Sequence, residues 1–208
     1  DLDEANIQRF AQFLFSYHLA VVLTVVIGVA AGLDPPLAGL MILWNNLVID
    51  VIPSFALALE PSGDDAMDRP PRGRDEPVLG GGAVRTIVTQ GALVAAVGLT
   101  AHLIGLGPLD LPLDEARTLT FVTLTIGQLG VAINARRSSG SGFRDAGSSP
   151  YLWFALGITV VLEAAALLVP PLRDVLGLTW LSGVAWALAI GLGLVPLVLT
   201  QGSRILRR

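Results

Sequence analysis

The chain has 208 residues, 53% of them hydrophobic and 14% charged, with a formal net charge of −4. Its mean hydropathy of +0.69 lies well outside soluble usage and predicts a membrane protein, while the acidic balance argues against a nucleic-acid partner. There is no cysteine, which excludes disulfides and thiolate metal sites.

The chain opens on Asp1 rather than methionine, and Asp3-Glu4-Ala5-Asn6 reads as the polar start of a helix. The numbering is therefore expected to begin inside a longer natural chain. Six hydrophobic spans follow, each near the ~20 residues that a bilayer core requires. They cover about 10–32, 37–59, 84–106, 116–134, 151–169 and 178–200. The first carries Gln12, Ser16, Tyr17 and His18, and the fourth carries Thr118, Thr120, Thr123, Thr125, Gln128 and Asn134. Such polar residues suit helices that face protein rather than lipid. The expected fold is an all-α polytopic bundle of six transmembrane helices in a lipid bilayer. Every basic residue is an arginine, and all but Arg117 and Arg173 fall on one side of this topology. The positive-inside rule then puts both termini in the cytoplasm, and a bacterial plasma membrane is the expected location.

The second span holds the most informative residues, Trp44-Asn45-Asn46-Leu47-Val48-Ile49-Asp50-Val51-Ile52-Pro53. An ionised carboxylate well inside a span costs roughly 2.5–3.5 kcal/mol on insertion scales, so Asp50 needs a partner or a purpose. Asn46 and Asp50 are four residues apart and share a helix face. Pro53 cannot donate to the carbonyl of Ile49, which frees a backbone oxygen beside Asp50. Carboxylate, amide and carbonyl together make the oxygen-rich setting that hard cations prefer. The loop that follows, from Glu60-Pro61 to Asp75-Glu76-Pro77, is broken by prolines and mixed charges and reads as an extended cytoplasmic segment.

The pattern from Leu43-Trp44 through Asn46-Leu47-Val48 and Asp50 to Pro53, then Glu60-Pro61, Met67-Asp68-Arg69-Pro70-Pro71-Arg72 and Asp75-Glu76-Pro77, resembles the cation-transporting P-type ATPases, on their calcium-pump-like branch. Asn6-Ile7-Gln8-Arg9-Phe10 resembles the start of that family's fifth membrane helix, and Pro150-Tyr151-Leu152-Trp153 and Val169-Pro170-Pro171-Leu172 the ends of its ninth. The resemblance implies the carboxy-terminal membrane domain, helices five to ten, across 1–208. It implies Asn46 and Asp50 as cation ligands, with Ile49 in place of a ligand threonine and able to offer only its backbone carbonyl. Two-site pumps carry an Asn and a Glu where His18 and Val21 stand, and a further carboxylate where Gln128 stands. One divalent-cation site is therefore expected, with His18 and Gln128 as further candidate ligands. Calcium is the first choice and manganese or magnesium the alternatives, since a neutral imidazole at His18 suits transition metals.

The family's phosphorylated aspartate lies in Asp-Lys-Thr-Gly, and this sequence has no lysine. ATP and magnesium would act only through domains that are absent here, which with the earlier membrane helices are the implied partners. No catalytic residue and no ATPase activity are expected of this chain alone. Two alternatives compete: a free-standing secondary transporter or channel using Asp50 and Glu163, and a degenerate module that does not transport. Gly80-Gly81-Gly82 lacks the lysine and strand context of a phosphate cradle.

Overall fold

A computed structural model describes residues 2–50, 52, 80–137 and 150–205. The described residues form helices α1 (Leu2–Ala30), α2 (Gly39–Asn45), α3 (Gly81–Leu106), α4 (Leu113–Arg137), α5 (Pro150–Leu168), α6 (Pro170–Leu176) and α7 (Gly183–Ile205). A π turn, Asn46–Asp50, continues α2 directly. No strand occurs among the described residues.

α1, α3, α4 and α7 each contain a stretch long and apolar enough to cross a membrane, and α5 with α6 adds a fifth that bends by 87° at the junction. The apolar helix Gly39–Val48 is shorter. The second expected span runs on past it, and its remainder, with Pro53 and the motif-bearing loop up to residue 79, lies outside the described residues. So does most of the arginine-containing loop between α4 and α5.

α4 is the axis of the bundle. It packs against α3 and α7 and also touches α1 and the π turn, while α1 leans on α3. Some 78% of its membrane-length window is buried, against 22% for α7. That agrees with the polar composition that set the fourth span apart. Thr118, Thr120, Thr123 and Thr125 are all buried, and each hydroxyl donates to the carbonyl four residues back, at 2.8–3.0 Å. A threonine that satisfies itself in this way can be buried in an apolar setting at little cost.

Two glycines set the helix spacing. A Cβ on Gly193 of α7 would stand 2.6 Å from Ile126 Cβ of α4, and one on Gly91 of α3 would stand 2.9 Å from the Ser16 carbonyl of α1. Small residues at such crossings let membrane helices approach closely, which is where their van der Waals attraction comes from.

Several helix ends differ from the expected spans for local reasons. α1 is already helical at Leu2, ahead of the apolar stretch. The final span, expected from 178, becomes helical only at Gly183. Ser182 caps it by accepting the Ala185 N–H at 3.2 Å. The preceding residues are held open instead, with the Thr179 N–H donating to Thr118 Oγ1 at 3.0 Å. The 170–177 connection is itself a short helix, α6, with proline in its first turn and Gly177 in left-handed conformation (φ 69°) after its end. The Leu178 N–H returns to the Arg173 carbonyl at 2.9 Å, a glycine-terminated helix end.

Candidate cation site

The expected ligand segment is the place where the second helix leaves α geometry. After α2 the backbone widens into the π turn Asn46–Asp50, which is packed by both α4 and α5. π turns are rare, interrupt the regular backbone ladder and recur at functional sites. The sequence pointed to an orphan carbonyl at Ile49 through Pro53; the described backbone shows irregularity over the whole five-residue stretch. Asn46 is half-buried within it. The backbones of Ile49 and Asp50 belong to the turn, and their side chains lie outside the described residues.

The other candidates are spread over the bundle. Gln128 is fully buried on α4, with neither amide atom hydrogen-bonded. Counting from Arg117, whose Nε donates to the Pro35 carbonyl at 2.9 Å, Gln128 lies roughly 16 Å further along α4 at 1.5 Å per residue. His18 is exposed on α1, and its Nδ1 donates to the Leu14 carbonyl at 2.9 Å. Asn134 is on α4, with its side chain outside the described residues. Among the described residues no three His, Cys, Asp or Glu side chains stand together as a metal cage.

Several buried polar groups near the π turn were given little weight or none from sequence. Asn45 is fully buried with both amide atoms unpaired. Glu163 on α5 is 7% exposed, and its Oε1 has no hydrogen-bond partner. Trp44 Nε1 is likewise buried without a hydrogen-bond partner. Farther off, His102 of α3 is fully buried with Nδ1 3.3 Å from Thr120 Oγ1 and Nε2 without a partner. The sequence signal for these groups is weak: each is one polar residue in an apolar run, and only tertiary packing distinguishes a buried one from an exposed one.

The arrangement offers neutral amide and carbonyl oxygens at one widened helix turn, with the buried Glu163 carboxyl on α5, the helix packed against it. Hard cations of modest charge demand are the ligands such a set would take.

Residues 34–206 match the family model described as cation transporting ATPase, C-terminus. The chain is 27% identical to calcium-transporting ATPase 1 of Bacillus cereus, over 98% of its own length and 24% of that protein's. It is 28% identical to the calcium-transporting ATPase of Bacillus subtilis, over 98% of the chain and 23% of the relative. With the plasma-membrane-type calcium-transporting ATPase 5 of Oryza sativa subsp. japonica the identity is 32%, over 90% and 18%. The chain thus spans about a quarter or less of the length of these relatives. With a matching family model over most of its length and helices that suit a membrane, the chain belongs to the carboxy-terminal membrane region of the calcium-pump-like P-type ATPases.

Proposed function

We propose that this chain forms membrane helices five to ten of an ATP-driven calcium pump. In this reading Asn46, Asp50 and the Ile49 carbonyl bind one divalent cation per cycle. The observation that carries it is the π turn at Asn46–Asp50, where the family's two matching ligand positions fall on irregular backbone packed by α4 and α5. Six spans cross the membrane, the second completed by residues beyond the π turn, and both termini face the cytoplasm of a bacterial cell. Calcium is the cargo, with manganese or magnesium as alternatives. ATP and magnesium act on domains outside this sequence, and phosphorylation there drives alternating access through α1.

Gln128 supplies an amide oxygen where two-site pumps have a carboxylate, and Val21 supplies none. A second divalent ion would lack charge compensation in a site of low dielectric constant. His18 is left to packing or access, since its ring is bonded along its own helix.

The test is phosphorylation by ATP in the full-length pump. Asp50→Asn is expected to remove calcium-dependent phosphoenzyme while leaving the protein inserted, and Asn46→Ala to weaken apparent affinity more than maximal turnover. Retention of normal calcium dependence by Asp50→Asn would overturn the assignment. Equilibrium binding is expected to give one ion per pump and a Hill coefficient near one; two equivalent ions would overturn the single-site reading.

A further inference from the structure

Of the two adjacent amides in the second helix, the one that faces the bundle interior is Asn45. Leu40, Leu43 and Leu47 are exposed along one side of this helix, and Met41, Asn45 and Val48 are buried on the other. Asn46 lies between the two sides and is only half-buried. Asn45 is fully buried, yet among the described residues neither its side-chain oxygen nor its nitrogen has a hydrogen-bond partner. A buried amide left unpaired is costly, and an apolar side chain here would carry no such penalty.

The backbone gives that amide a place in the site. Asn45 is the last residue of α2, and the π turn Asn46–Asp50 starts directly after it. In a regular α-helix, residues five apart are turned about 140° from one another, so positions 45 and 50 would belong to different faces. A π turn is bonded across five residues instead of four, which swings position 45 round to the face of position 50. Positions 45 and 46 then straddle position 50 along the helix. Regular geometry would bring only position 46 near it.

Ile49 carries no side-chain oxygen, so the side-chain oxygens available at this turn are those of Asn45, Asn46 and Asp50. Calcium takes about six to eight oxygens and accepts asparagine carbonyls among them, whereas magnesium dehydrates reluctantly and keeps several waters. A further protein oxygen on a rigid, buried helix turn therefore favours the larger ion.

We propose that Asn45 is a further cation ligand, its side-chain carbonyl completing the oxygen set at the π turn and biasing that set toward calcium over magnesium. The inference rests on the reading in which Asn46 and Asp50 bind the ion.

The test is equilibrium calcium binding to the full-length pump, with magnesium competition measured on the same samples. Asn45→Leu removes the oxygen at similar volume and is expected to weaken calcium affinity about ten-fold, the low end for losing a group that supports a metal site. Magnesium competition should change by less than about two-fold. Asn45→Asp keeps an oxygen and adds charge, and is expected to bind calcium at least as tightly as wild type. Wild-type calcium affinity in Asn45→Leu, an equal loss for both ions, or a loss in Asn45→Asp as large as in Asn45→Leu would overturn the proposal. Should Asn45→Leu fail to insert, Asn45→Asp decides: affinity equal to wild type or tighter upholds it, and weaker affinity overturns it. Asp50→Asn, run alongside, separates the two levels. Normal calcium binding in that variant means the underlying ligand reading has failed, whereas lost binding there with wild-type affinity in Asn45→Leu means that Asn45 alone was misassigned.

Discussion

Two sets of buried polar side chains sit within one bundle and are treated oppositely. The threonines of α4 close their hydrogen bonds within their own helix, so that stretch of the bundle's axis is satisfied, while Gln128 further along it keeps both amide atoms unpaired. Around the π turn, Trp44 Nε1, both amide atoms of Asn45 and Glu163 Oε1 are buried and unpaired. An unpaired buried group costs about 1–3 kcal/mol. The contrast separates a scaffold, optimised to stay as it is, from a region that tolerates local destabilisation where function needs it.

That division can be broken by substitution. The largest expected effect is in the scaffold. Gly193→Leu puts side-chain atoms where Ile126 and the Thr123 carbonyl already stand, and backbone at the contact cannot retreat. Loss of more than about 3 kcal/mol, or failure to assemble, is expected in detergent unfolding assays. A variant as stable as wild type would show that α4 and α7 are not in tight contact.

Thr118→Val should come next. Besides its intrahelical bond, Thr118 Oγ1 accepts the Thr179 N–H at 3.0 Å, so the substitution strands a backbone donor. A loss of about 1–2 kcal/mol in the same assay is expected.

Asn45→Leu runs the other way. Removing a buried amide that has no partner should raise stability by about 1 kcal/mol, measured as a higher denaturant midpoint. A loss of stability would mean that Asn45 is bonded and belongs with the scaffold.

Thr120→Val is the smallest. Its donor bond to the Ala116 carbonyl duplicates an acceptor that the helix already uses, and its contact with His102 is long at 3.3 Å. Less than about 0.5 kcal/mol should be lost. A much larger loss would reveal His102 as a structural anchor.

The sequence carried the all-helical architecture, because runs near bilayer length leave few alternatives. It also carried the distinction between α4 and the other helices, through threonine content. Helix starts were less legible. The last span begins at Gly183 rather than 178 because Ser182 makes a cap and Thr179 is captured by α4, and hydropathy alone registers neither event. At the candidate site, Asn46 and Asp50 stood out through spacing and family pattern, and the irregular backbone beneath them fits that reading. The packing of α5, which carries the buried Glu163, on the π turn was invisible, since the two segments lie far apart in sequence. His18 stands at a matching ligand position, and on α1 its ring is exposed and bonded to the Leu14 carbonyl.

The π turn also fixes how the chain beyond it is indexed. A π turn stores one more residue than the same stretch of α-helix would need. Were that residue returned to the regular ladder, everything downstream would advance by one step, about 1.5 Å along the axis and about 100° around it. The widened turn is a one-tooth gear: a change confined to five residues would shift the register of the helix that carries them.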